Sequence, residues 1–168
     1  SRRFLWLLCL NGALLGLEGI IQRLEGSGRL LFLVRPGVNP GAETQFGPWA
    51  YRANAASFFN LLWPFCLGFW WTLHRSGGFR RNLHHVLLLA AAIMAACPII
   101  STSRGGAMIS AGILVLAVLF LWLADLFLAV SHKPDRRTRW LTYAVLLAFS
   151  ISALWLGGHF GWKALKPR

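Results

Sequence analysis

Acidic side chains are nearly missing from this chain. Asp and Glu together number five in 168 residues, against 17 Lys and Arg. Charged residues make up 13% of the sequence, where roughly 25% is usual for a soluble domain. Five carboxylates cannot solvate the surface of a globule that is 57% apolar or aromatic, so a soluble single domain is excluded and so is disorder. Cysteine is scarce too. Cys9, Cys66 and Cys97 lie inside apolar runs with no CxxC spacing, which excludes a zinc framework and reads them as small buried hydrophobes. Behind the formal charge of +12 there is no zinc spacing and no basic helix with a polar face, so nucleic acid is not the expected partner. No internal repeat, low-complexity tract or signal-peptide pattern is visible.

What the chain has is long apolar runs. A bilayer core needs about 20 apolar residues in a helix. Runs at 4–24, 55–73, 83–100, 106–130 and 140–156 meet or approach that length. The expected fold class is all-α, a polytopic transmembrane bundle of about five spanning helices in a single membrane domain. Pro98 is expected to distort the last turn of the third run. Gly26, Gly28, Pro36, Gly37, Pro40, Gly41, Gly47 and Pro48 forbid a helix between the first two runs and predict an external loop there. Several of the nine tryptophans fall near run ends, as interfacial belts require. A chain opening at Ser1 and ending Lys166-Pro167-Arg168 is expected to be an internal piece of a longer one, with 157–168 starting a further external loop.

The positive-inside rule sets the orientation. Arg2 and Arg3, the linker carrying Arg75, Arg80 and Arg81, and the linker carrying Lys133, Arg136, Arg137 and Arg139 concentrate charge in short stretches on one side. That side is expected to be cytoplasmic, which puts the N-terminus inside and the C-terminus outside. By parity, Gln22, Arg23, Arg52, Asn54, residues 101–106 and His159 share the opposite face, whichever way the bundle points.

On that face the most informative stretch is Ser101-Thr102-Ser103-Arg104-Gly105-Gly106, between the third and fourth runs. A helix start offers unpaired N–H groups, and glycine lets a ligand's oxygens approach the backbone. Ser101 or Ser103 can cap the helix, and Arg104 brings a planar fork suited to phosphate. An interfacial arginine beside a capping serine is the plainer reading. Arg52 is a second cation at an expected helix start, with Asn54 as the N-cap. In the first run Asn11, Glu18 and Gln22 fall within about 40° of one stripe. Such a stripe faces protein or a cavity rather than lipid, serving either a site or helix–helix hydrogen bonds. Gly12 and Gly16 form a GxxxG packing face on another side. Asp125 is expected to pair with the basic linkers, His84 and His85 to be a solvated linker, and His159 to be interfacial.

Leu17-Glu18-Gly19-Ile20-Ile21-Gln22 ending one span, Phe46-Gly47 before an Arg–Asn segment opening the next, and a Ser–Arg–Gly–Gly turn between two later spans follow one another in order. This order resembles the O-antigen ligase and polymerase family of bacterial inner-membrane proteins, across most of residues 10–165. The resemblance implies an enzyme that moves a glycan from undecaprenyl pyrophosphate to an acceptor, lipopolysaccharide core or growing polysaccharide, outside the cytoplasmic membrane. It implies neither metal nor cofactor, and only lipid, carrier and acceptor as partners. It makes Arg52 and Arg104 the catalytic cations, with Glu18, Gln22, Asn54, Ser101, Ser103 and Gly105 in substrate contact. The family's Asn–Arg–Asn–His–Phe–Ala-like string is met only in part, as Tyr51-Arg52-Ala53-Asn54-Ala55-Ala56. The family histidine belongs to a loop after a span like the fifth. His159 lies too early for it, so the general base is expected downstream. A flippase or transporter for an anionic lipid or solute, or a non-catalytic membrane subunit, would use the same residues. An inverted repeat would favour the transporter, and the chain shows none.

The orientation is testable by cysteine labelling in intact cells. Probes placed at Gly41 and Gly158 should react with an impermeant reagent while probes at Ser76 and Ser131 stay protected; the reverse pattern would invert the bundle.

Overall fold

The computed structural model describes residues 2–37, 41–75 and 83–128, with 147, 151 and 155 as isolated helical positions. Apart from these three positions, the expected fifth span lies outside the described residues, as do His159, the basic linker before that span and the Asp125 side chain.

The chain is all-α. Its described helices are α1 (Arg2–Glu25), α2 (Arg52–Arg75), α3 (His85–Ile100) and α4 (Arg104–Leu128). Among the described residues there are only isolated bridges, Leu30 with Val34 and Phe46 with Trp49, which pin two turns in the loop 26–51. Most of the helices outrun the expected apolar runs at one or both ends. The physical reason is that backbone hydrogen bonding continues into polar residues such as Arg2, Arg52 and Arg104, whereas hydropathy marks only the apolar stretch. Among the described residues one helix, α1, is long and apolar enough to cross a membrane, with a mean hydropathy of 1.9 in its best window. His85–Ile100 and Arg104–Ala117 are shorter apolar helices.

Helix α3 is the centre. Ala90, Ala91, Ala92, Ala95 and Ala96 are all buried, and these small side chains let α1 and α2 come close on either side. Gly12 of α1 abuts Leu62 and Met94, and Gly16 stands where a Cβ would lie 3.0 Å from the Cys97 sulfur, so the GxxxG face does pack as expected. From α2, Phe59, Trp63 and Trp70 are fully buried. The three cysteines are free and buried. The outward faces are apolar along their length: Phe4, Leu7, Leu14 and Leu17 on α1, and Met108, Val115, Leu116 and Phe120 on α4, are all exposed.

Helix α4 is seated against α2 at Gly106, where an added Cβ would run into the Cβ of Ala56. Asn60 Nδ2 donates to the Gly106 carbonyl at 2.9 Å, and Ser110 Oγ reaches the Ala95 carbonyl at 3.4 Å. Gly106→Ala should therefore lower the thermal midpoint in detergent, overpacking of this kind costing about 1–3 kcal/mol. Gly105→Ala, with open space around it, should leave the midpoint unchanged or raise it. Equal midpoints in both variants would mean that α2 and α4 are not in contact here.

Candidate functional site

The turn between α3 and α4 is the structural start of the site. Pro98 is buried in the last turn of α3 and the helix still runs to Ile100. Ser101 N–H then donates to Cys97 at 2.8 Å and Thr102 N–H to Ile99 at 3.0 Å, which closes the helix tightly. Thr102 takes φ +57, the left-handed region. For a β-branched residue that conformation is a genuine outlier, and strain of this kind costs on the order of 1–3 kcal/mol. The chain reverses there into Ser103, whose Oγ accepts the Gly106 N–H at 3.3 Å and caps α4.

Two arginines from distant parts of the chain meet at this turn. Arg23, in the last turn of α1, donates from Nη2 to Thr102 Oγ1 at 3.0 Å and from Nη1 to the Ala42 carbonyl at 3.0 Å. Arg52, the first residue of α2, donates from Nη1 to the same Thr102 oxygen at 3.0 Å and to the Glu43 carbonyl at 3.3 Å. A hydroxyl oxygen has two lone pairs, and here two guanidinium groups take both. Donors that share one acceptor are within about 6 Å of each other, where two unit charges repel by roughly 3 kcal/mol at an effective dielectric of about 20. A neutral oxygen cannot cancel that repulsion. Beside it lies an open cleft of about 390 Å³, lined by Tyr51, Arg52, Ala53, Thr102, Ser103 and Arg104. Small-molecule sites span about 300–1,000 Å³. Arg104 is exposed at the rim and makes no hydrogen bond or ion pair with any described residue.

The residues expected in the site divide accordingly. Arg52, Ser103 and Arg104 come together around the cleft. Gly105 is exposed with open space beside it. Ser101 is correct in place but not in role: it is buried and gives its hydroxyl to the Pro98 carbonyl at 2.9 Å, so Ser103 alone caps α4. Asn54 is not the cap of α2, which begins two residues earlier at Arg52; it is exposed and outside the cleft lining.

The α1 stripe is broken in the same way. Gln22 is buried, and its Nε2 donates to the Arg29 carbonyl at 2.8 Å while its Oε1 has no partner among the described residues. Both Glu18 oxygens are buried without a partner, beneath the turn at Gly47 (φ +56). Asn11 is exposed instead, because the loop that covers Glu18 and Gln22 reaches only the last turns of α1.

Sequence reasoning placed Arg23 on the right face but left it out of the site, and it gave Thr102 no role. It also misread His84 and His85 as solvated. His74 stacks on Trp70 (5.2 Å between centroids, 16° between planes), and its Nδ1 lies 3.2 Å from His84 Nε2. The rings of His84 and His85 are 4.2 Å apart. These residues form a half-buried aromatic cluster where α2 ends and α3 begins.

No family model, curated protein or solved structure matches the chain.

Arg23 also fastens the loop to the bundle through the Ala42 carbonyl at 3.0 Å, and the nearby Thr44 carbonyl accepts the Arg52 N–H at 2.7 Å. Arg23→Ala removes hydrogen bonds from a charged donor worth about 1.5–3 kcal/mol each. Hydrogen exchange at the Thr44 and Arg52 amides should then accelerate at least ~10-fold. Unchanged protection there would show that the loop is held by other contacts.

Proposed function

We propose that this chain is part of a polytopic inner-membrane glycosyltransferase of the O-antigen ligase and polymerase type, moving a glycan from undecaprenyl pyrophosphate to lipopolysaccharide core or growing polysaccharide. The observation that carries the reading is the convergence of Arg23 and Arg52 on one neutral oxygen beside a cleft edged by Arg104. The Glu43 carboxylate lies near Arg23 and offsets part of its charge, and Arg52 and Arg104 leave the cleft edge cationic, as a phosphoryl ligand requires.

The exposed apolar faces of α1 and α4 support a lipid setting, because a soluble monomer rarely leaves faces of that extent uncovered. In this reading α1 to α4 are the first four of about five spans, and the cleft opens at the external face. The chemistry asked of the chain is electrostatic. Arg52 and Arg104 hold the pyrophosphate and stabilise the charge that grows on it as the glycosidic bond to the carrier breaks. The acceptor hydroxyl loses its proton to a base outside the residues described.

Arg104 is the sharpest test, because it is exposed and no folding contact depends on it. Arg104→Ala in the full-length protein should slow glycan transfer by roughly 30- to 1000-fold, the equivalent of ~2–4 kcal/mol of lost transition-state stabilisation. Arg104→Lys should recover only part of it, since lysine keeps the charge and loses the fork. Membrane abundance should not change in either. A lysine variant that transfers glycan at the normal rate would leave Arg104 as a headgroup anchor and remove the main support for this reading.

A further inference from the structure

We infer that Thr102 is a positioning residue for anion binding: its hydroxyl holds Arg23 and Arg52 side by side as one preorganised phosphoryl receptor, and its left-handed backbone serves that placement. The inference rests on the anion-site reading above and adds two residues to it.

Three observations converge on Thr102. Its oxygen accepts from both guanidinium groups at 3.0 Å, although they arrive from helices separated by a long loop. Its backbone sits at φ +57, a position where glycine or asparagine would be relaxed and a β-branched residue is not. It also lines the cleft together with Arg52 and Arg104. A residue chosen only for turn geometry would be glycine. Threonine here keeps a backbone cost that only its side chain can justify, and that side chain's described contacts are the two arginines.

The physical role follows. Unbound guanidinium groups on flexible stems point apart when they repel, and ordering them again on binding weakens affinity. A shared neutral acceptor keeps them adjacent without adding a counter-charge of its own; the Glu43 carboxylate offsets part of the Arg23 charge, and Arg52 faces the cleft. Arg52 lines the cleft where a phosphoryl oxygen would sit, and Arg23 is held next to it through the shared Thr102 oxygen. A carboxylate at the same position would hold them more tightly and would occupy the site itself.

Substitutions at Thr102 separate this role from a structural one. The probe is inorganic pyrophosphate titrated calorimetrically into the full chain in zwitterionic lipid nanodiscs. Thr102→Ser should bind like the parent. Thr102→Gly relaxes the backbone and removes an acceptor of two charged donors, effects that oppose each other in stability, so its thermal midpoint should change little while pyrophosphate affinity falls at least ~10-fold. Thr102→Asp should also abolish binding, by filling the receptor with its own carboxylate. A Thr102→Gly variant that binds pyrophosphate normally would overturn the inference, and the pyrophosphate reading would stand on Arg52 and Arg104 alone. Failure of the parent to bind pyrophosphate would overturn both. Competition by phosphatidylglycerol in the nanodisc, lost in Thr102→Gly, would uphold Thr102 in its role but assign the receptor to lipid headgroups and overturn the transfer reading.

Discussion

A single threonine hydroxyl, shared by two guanidinium groups, ties together at one point segments that helix packing and loop hydrogen bonds bring close. Through it the last turn of α1, the first residue of α2, the α3–α4 turn and the loop segment around Ala42 and Glu43 become one surface. The arrangement depends on the reversal at Thr102. The left-handed residue turns the chain from the end of α3 into Ser103, whose Oγ accepts the Gly106 N–H and caps α4. The strain is local, and the elements on both sides of it are regular.

Those elements are rigid because their contacts are made by small residues. The buried alanines of α3, with Gly12 and Gly16 of α1 and Gly106 of α4, bring backbones close enough that the helices cannot slide without collision. A site mounted on helix ends held in this way keeps its geometry better than one carried by loops alone. The loop 26–51 is itself fastened from within the bundle. Phe46 fills the space above Gly19, Gln22 holds the Arg29 carbonyl, and Arg23 holds that of Ala42.

The two ends of the bundle differ in kind. At one end, Arg23 and Arg52 gather around a neutral oxygen beside an open cleft edged by Arg104. At the other, His74, His84 and His85 stack with Trp70 and meet each other's polarity at close range. Between them α3 is nearly all apolar, Asn60 Nδ2 is tied to the Gly106 carbonyl and Ser110 to that of Ala95, while Asn60 Oδ1 and Trp70 Nε1 are buried without a partner among the described residues. Charge is therefore segregated to the ends.

The all-α class, the four described helices and the face shared by Arg23, Arg52 and Arg104 were legible in the sequence. They follow from apolar run length, from Gly and Pro density and from the alternating direction of successive helices, all of which are local or additive properties. The hexapeptide 101–106 was legible as a helix start for the same reason, since caps and glycines act within one turn. Whether Asn54 or Arg52 began α2 was not, because the helix extends for as long as its backbone is satisfied and the Arg52 N–H is satisfied by Thr44. Nor could the sequence show that Glu18 and Gln22 are covered while Asn11, on the same stripe, is not. That depends on how far a loop folds back. The pairing of Arg23 with Thr102 joins residues 79 positions apart, and no periodicity encodes it. Chain order determined which cations share a face; only packing of the helices around α3 decided which of them share an atom.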